Sequence, residues 1–159
     1  MIRRFGDWQK VQNLVSNLNK VFQNAGKNAL NKITEEAQKR LIMHLNNQDL
    51  SWQALSVAYK SQKERKGLAS QMLVARGDLK NAIKTVVNND IGFVGIRSGA
   101  KNTDGQSLEI IAAVHEYGSI TRNIPARKLW QPTNDEMKEW LNKSRFIEDI
   151  FLEELKKFI

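Results

Sequence analysis

The chain has 159 residues, of which 41 % are hydrophobic and 26 % are charged, a balance typical of a folded globular domain rather than a disordered chain. It contains no cysteine, which excludes a disulfide framework, a thiolate metal site and a thiol nucleophile. Its longest apolar run, residues 110–114, is far shorter than the roughly 20 residues that cross a bilayer, so we predict no membrane-spanning helix and no membrane partner.

The formal net charge of +8 is unevenly distributed along the chain. Residues 1–100 carry 16 Lys and Arg against 7 Asp and Glu, whereas residues 101–159 carry 9 against 10. A basic front half attracts nucleic acid or an acidic protein neighbour over a long range. The charge alone leaves both kinds of partner open, together with a basic surface that binds neither.

The N-terminal part of the chain has the pattern of a long helix. Apolar residues recur at steps of three and four over residues 5–45, which predicts an amphipathic helix within residues 1–47. At ~1.5 Å per residue such a helix reaches roughly 60 Å, more than a domain of this size covers with its own surface. We therefore expect it either to bend near Gly26 or to pack on another subunit. Leu14 and Leu18 lie on its apolar stripe and are the predicted subunit contacts.

Residues 48–130 are predicted to form an α+β core, which begins with a short helix and a basic loop. Ser51 is placed to cap the helix, and residues 60–70 follow as an exposed loop because they are basic and lack apolar periodicity. Such a loop binds DNA phosphates or a partner protein, and solvated surface charge is the simpler alternative. The candidate contacts in it are Lys60, Lys63, Arg65 and Lys66.

The rest of this core alternates between helix and strand signals. Asp78 is placed to cap a third helix, and residues 86–97 have the apolar runs and central Asn-Asn-Asp turn of a β-hairpin. Ser107 is placed to cap a fourth helix that ends at Gly118. Residues 120–130 contain a proline and are predicted to form a third, edge strand.

The C-terminal part of the chain has a clear helix start. A capping box at residues 133–136 (TNDE) follows Pro132, and apolar residues at helical spacing then predict one long helix over residues 133–159. Residues 1–159 are thus predicted to form a single α+β domain, with long N-terminal and C-terminal helices packed on a small antiparallel sheet.

The supply of catalytic groups is thin. The two histidines, His44 and His115, are far apart in sequence and neither has a partner at metal-ligand spacing. His115 and Glu116 begin like a zinc-protease helix, but Ser119 stands where that motif needs its second histidine. We therefore predict no catalytic, cofactor-binding or metal-binding residues, and a protein that is not an enzyme.

Three segments resemble the tail-completion or head-to-tail joining family of tailed bacteriophages, of the phage virion morphogenesis type. The first is residues 52–56 (WQALS) and the second is residues 73–83 (LVARGDLKNAI). The third and most specific is residues 112–118 (AAVHEYG) followed by residues 124–127 (IPAR).

This resemblance implies a structural virion protein that is assembled in the host cytoplasm and located in the neck, at the head–tail interface. The expected assembly is a homo-oligomeric ring, a hexamer, which contacts the connector or stopper proteins and the tail tube protein while DNA passes through its lumen. The alternative is a basic DNA-binding accessory protein that forms no ring. Structural or interface roles are expected for Tyr117, Gly118, Pro125 and Arg127.

Overall fold

The computed structural model of the chain describes residues 6–157 and has the α+β architecture that the sequence predicts. Residues 1–5 and 158–159, at the ends of the two predicted terminal helices, lie outside the described residues. Among the helices of residues 6–157, none combines the length and apolar character that crossing a bilayer requires. The elements in chain order are α1 (Trp8–Asn47), α2 (Val57–Arg65), α3 (Asp78–Ala82), β1 (Ile83–Asn88), β2 (Ile91–Ile96), α4 (Leu108–Tyr117), α5 (Trp130–Lys143) and α6 (Phe146–Lys156).

Helix α1 has 40 residues and runs without interruption through Gly26. Asp7 caps its start by accepting a hydrogen bond from the Lys10 backbone N–H at 3.4 Å. Gln48 closes its end in the left-handed conformation, and the Gln48 side chain donates to Met72 O and accepts from Met72 N. This exchange ties the end of α1 to the segment before α3.

The predicted β-hairpin is confirmed. Strands β1 and β2 pair in antiparallel register, from Ile83 opposite Ile96 to Asn88 opposite Ile91. The hairpin begins at Ile83, earlier than the sequence pattern indicated, because α3 is only five residues long.

The hairpin packs closely on α1. A Cβ atom at Gly92 would lie 2.7 Å from the Thr34 methyl carbon, so only glycine permits this approach. Gln38 of α1 donates from its side-chain amide to the carbonyl of Ile83 at 2.7 Å. These contacts fix the small sheet against the middle of the long helix.

Two apolar clusters lie along α1. Burying a leucine or isoleucine side chain contributes about 1.5–3 kcal/mol, so each cluster is a substantial source of stability. The first joins the C-terminal part of α1 to β1 and to the start of α5 through Leu41, Leu45, Ile83 and Leu129. The second joins the middle of α1 to α6 through Ala25, Ala29, Phe146, Ile150 and Phe151.

The prediction of one C-terminal helix over residues 133–159 is wrong, because Ser144 is extended and separates α5 from α6. The break allows the rings of Trp140 and Phe146 to pack with their centroids 4.8 Å apart. Both helices contact α1.

The start of α5 also differs from the prediction. The helix begins at Trp130, and Pro132 lies in its first turn, where the missing N–H costs no intrahelical hydrogen bond. The expected capping box does not form. Thr133 donates instead to a backbone carbonyl of the preceding turn, and Glu136 faces His44 of α1.

The predicted third strand at residues 120–130 is wrong. The segment forms one isolated bridge, between Ser119 and Ile124, and then continues as irregular backbone. The backbone N–H of Arg127 donates to the carbonyl of His115 at 2.6 Å, so it bonds to the end of α4 and not to the sheet.

The predicted basic loop is partly helical. Helix α2 is capped by Ser56, whose Oγ accepts from Tyr59 N, and not by Ser51. It includes the first half of residues 60–70, although this stretch has no apolar stripe. A tertiary contact explains the difference: the Lys63 ammonium is buried and donates to two backbone carbonyls of the next segment.

Candidate interaction site

The three segments named above meet at one cavity of about 320 Å³ between α2, α3 and α4. Their side chains form much of its wall. The contributing residues are Leu55 from the first segment, Val74 and Leu79 from the second, and His115 and Arg127 from the third. Segments that are distant in sequence therefore build a single local structure.

Glu116 anchors this structure to the start of α5. Its carboxylate is buried at the end of α4 and accepts three backbone N–H groups, from Leu129 at 2.7 Å, Trp130 at 3.0 Å and Gln131 at 3.0 Å. The first N–H groups of a helix have no partner within the helix, and the helix dipole favours a negative charge there. Glu116 therefore caps α5 from another helix.

Two further hydrogen bonds join the first segment to the third segment and to the residue that follows it. The indole N–H of Trp52 donates to the carbonyl of Lys128 at 2.8 Å. The Nε–H of Arg127 donates to the carbonyl of Gln53 at 3.1 Å, and the Arg127 side chain is buried. Arg127 thus holds a backbone carbonyl through its rigid guanidinium.

Lys63 enters the cavity from α2. Its ammonium donates to the carbonyls of Gln71 at 2.7 Å and Val74 at 2.8 Å. Burial lowers the pKa of Lys63, and the positive charge of Arg127 lowers it further. Burial likewise lowers the pKa of Arg127.

His115 faces the same cavity. Burial is the largest cause that lowers the pKa of His115, followed by the charges of Arg127 and Lys63. At neutral pH the imidazole is therefore uncharged. Its Nδ1 is buried and has no hydrogen-bond partner among residues 6–157.

A second, wider depression of about 1070 Å³ adjoins the cavity, between residues 53–59 and 117–127. Gly118 shapes it with φ 78° and ψ 176°, a conformation that is essentially confined to glycine. A Cβ atom at Gly118 would lie 3.0 Å from both Ala126 N and Ile124 O. The turn after α4 thus depends on glycine for its backbone angles and for its close packing.

Comparison with known proteins gives the chain a family. Residues 6–156 match the phage virion morphogenesis family over nearly the whole length of the chain. The chain belongs to this family. Membership indicates a structural or assembly role in a phage virion. A more distant similarity is to an uncharacterized protein of Methanocaldococcus jannaschii, 28 % identical over an alignment of 120 residues that covers 70 % of this chain and 84 % of that protein. No solved structure matches the chain.

The structure brings one predicted group of this virion morphogenesis protein together and separates the others. Tyr117, Gly118, Pro125 and Arg127 all line the wider depression. Leu14 and Leu18 are half-buried near the start of α1 and belong to neither cavity. Of the four basic candidates, Lys63 is buried, whereas three are exposed: Lys60, Arg65 and Lys66.

Sequence reasoning missed a second polar cluster, around His44. This buried imidazole contacts Asp49 Oδ1 through Nδ1 at 2.6 Å and Glu136 Oε2 through Nε2 at 3.2 Å. The hydrogen bond from His44 lowers the pKa of Asp49. His44 joins the end of α1 to α5 and is a structural residue. No group of three or more His, Cys, Asp or Glu side chains within residues 6–157 is arranged to hold a metal ion.

Asp78 also differs from its predicted role. Gly77 stands at the N-cap position of α3, and the Asp78 carboxylate accepts instead from the backbone and hydroxyl of Thr103. These hydrogen bonds lower the pKa of Asp78. The expected cap is therefore used to hold the loop between β2 and α4.

Proposed function

We propose that this chain is a ring-forming subunit of the phage neck, which joins the head connector to the tail and leaves a central passage for DNA. The family gives the virion role. The observation that carries the finer proposal is the exposed apolar stripe at the start of α1.

The stripe consists of large apolar side chains that stay about half exposed, although one of them, Phe22, contacts Phe151 of α6 with ring centroids 4.9 Å apart. The exposed members are Trp8, Val11, Val15 and Phe22, with Val15 at 62 % exposure. The neighbouring face of α1 is buried in the subunit at Val21 and Ala25. A contiguous apolar surface of this kind marks a contact with another chain.

A second copy of the chain is the partner that fits this stripe. The surface beside the wider depression exposes three large apolar residues that the described residues, 6–157, leave almost uncovered: Val57, Tyr117 and Ile120. A contact between the stripe of one subunit and this different surface of the next is heterologous, and rotation closes such contacts into a ring. We expect six subunits in the ring.

The test replaces two exposed stripe residues, Val11→Asp and Val15→Asp, in one variant. Both side chains point to solvent in the subunit, so the variant should keep its fold and lose the ring. Leu14 and Leu18 are half-buried, and their substitution would mix folding with assembly. The matched control is Asn13→Asp with Asn24→Asp, which adds the same charge to the opposite, exposed face of α1.

Light scattering after size exclusion measures the assembly, circular dichroism measures the helix content, and negative-stain images show the ring. The wild type and the control variant should form closed rings, whereas the stripe variant should not. Rings that persist in the stripe variant would contradict the proposed contact. A wild type that stays monomeric at all concentrations, alone and with tail tubes, would contradict the ring itself.

A further inference from the structure

The cavity between α2, α3 and α4 contains two buried cations. The side chains of Lys63 and Arg127 are 5 % and 6 % exposed and approach closely enough for the charge of one to disfavour that of the other. Lysine and arginine are almost never this buried unless they are paired, because removing a charge from water is costly. A counter-charge is therefore expected beside them.

The part of the subunit that the structure describes, residues 6–157, does not supply that counter-charge. Among the ion pairs of residues 6–157, none includes Lys63 or Arg127. Two carboxylates line the same cavity, but both have other partners. Asp104 pairs with Arg76 at 2.8 Å, and Asp78 holds Thr103.

Donor capacity toward the cavity remains unused. The Lys63 ammonium has three N–H donors and uses two of them on carbonyls. Within residues 6–157, the Arg127 guanidinium makes its hydrogen bond through Nε alone. The Nδ1 atom of His115 is buried without a partner in the same wall. Three nitrogen-bearing side chains thus line one cavity with hydrogen-bonding capacity that residues 6–157 leave unused.

We infer that this cavity is a carboxylate-binding pocket, which receives an aspartate or glutamate side chain from an adjacent protein subunit between Lys63, Arg127 and His115. A protonated imidazole donates a hydrogen bond, so binding draws a proton onto His115 and completes the set of donors. The pocket thereby couples a protein contact to pH.

The size and lining of the pocket favour a carboxylate over a DNA phosphate. A volume of about 320 Å³ admits one side chain, whereas a phosphodiester enters only with the sugars on both sides of it. Leu55, Leu68 and Leu79 line the entrance and walls, and they match the methylene stem of a glutamate. The experiment therefore includes DNA as a competing ligand, so that DNA binding at this cavity would be detected.

The experiment follows the ring signals of the two histidines by NMR while sodium acetate, as the carboxylate probe, is titrated into the full chain at constant ionic strength. His44 is an internal control, since it is already paired with Asp49 and Glu136. We expect a saturable shift of the His115 signal and a rise in its pKa, with no change at His44. Sodium phosphate and a short DNA duplex are titrated in parallel.

Two variants test whether the proposed donors cause the effect. Lys63→Met should weaken acetate binding at least tenfold. Lys60→Met removes an exposed lysine from the same helix and should leave binding unchanged. The other charged or titratable groups that line the cavity also influence the pH profile of His115; they are Tyr59, Lys66, Arg76, Asp78 and Asp104.

Dilution of the wild type identifies the source of the carboxylate. If a second copy supplies it, the pKa of His115 falls as the protein dissociates, and acetate competes with self-association. If a different protein supplies it, acetate still binds and dilution has no effect on His115. A His115 signal that ignores acetate would overturn the inference, as would one that saturates only with DNA. The acetate titration reports on the pocket whether or not a ring forms.

Discussion

Replacing Glu116 by Gln tests the central claim about the site, namely that this carboxylate holds the start of α5. The substitution keeps the size of the side chain, but it removes the charge and turns one acceptor oxygen into an NH₂ group. In the wild type, Oε2 accepts from Leu129 and Trp130 and Oε1 accepts from Gln131. The variant must therefore lose at least one of these bonds and weaken the others.

The expected cost follows from the setting of the three hydrogen bonds, of which the one from Leu129 is buried and those from Trp130 and Gln131 are part-buried. A hydrogen bond to a charged group contributes about 1.5–3 kcal/mol, and a buried donor without a partner costs about 1–3 kcal/mol. Glu116→Gln should therefore lower the free energy of unfolding by about 2–3 kcal/mol, and Glu116→Ala by about 3–5 kcal/mol. For a chain of this length, a loss of ~3 kcal/mol lowers the Tm by about 6–12 °C.

Urea denaturation followed by circular dichroism measures the difference, with the slope of the transition as a check on two-state behaviour. The control is Glu109→Gln on the same helix, because Glu109 is exposed and makes one hydrogen bond, to Gly99 N at 3.2 Å. It should cost less than about 1 kcal/mol. A Glu116→Gln variant as stable as the control would refute the capping role.

Two further predictions concern the same turn. Gly118→Ala should lower the free energy of unfolding by at least about 1–3 kcal/mol, the cost of the unfavourable backbone conformation. The new Cβ would add to this cost, because it would lie 3.0 Å from Ile124 O and Ala126 N. Urea denaturation measures the loss, and an unchanged free energy of unfolding would contradict the geometry. The low pKa of His115 means that the unfolded chain takes up a proton near pH 6.5 while the folded subunit does not. The contribution of neutral His115 to the free energy of unfolding should therefore be fully present above about pH 6.5. Below that pH the free energy of unfolding should fall, by at most about 1.4 kcal/mol per pH unit. His115→Gln should remove this part of the slope, which wild-type and variant unfolding curves at several pH values will reveal.

The elements that the sequence predicted well are those with strong local signals. The 40-residue α1 follows from its apolar periodicity, and the hairpin follows from two apolar runs around a polar turn. Ser107 caps α4 as expected, because its hydroxyl accepts the N–H of Ile110. In each case the residues that decide the structure are neighbours in the chain.

The wrong predictions share the opposite cause, because contacts between residues that are distant in the sequence decide the structure there. Helix α2 has no apolar stripe, and the contacts of Lys63 with a segment 8–11 residues away are what give its polar face a buried partner. Helix α5 begins earlier than predicted because Glu116, 13–15 residues before the capped N–H groups, supplies the cap that Thr133 was expected to provide. A capping motif shows which residues are able to cap, but a stronger acceptor from another helix can take over the same N–H groups.

The cavity explains why the short motif at residues 115–118 (HEYG) contains several kinds of residue. Glu116 acts outward on α5, while His115, its neighbour in α4, faces Lys63 and Arg127 in the cavity. Gly118 then turns the chain so that Arg127 returns to contact Gln53. A motif that looks like the beginning of a metal site thus has structural roles at each position, and the nitrogen groups it gathers favour an anionic partner. Lys63, a central member of the basic loop predicted for the DNA-binding alternative, is buried and donates to backbone carbonyls inside the cavity. One of the four predicted DNA contacts is therefore buried in the subunit and does not form part of its basic surface.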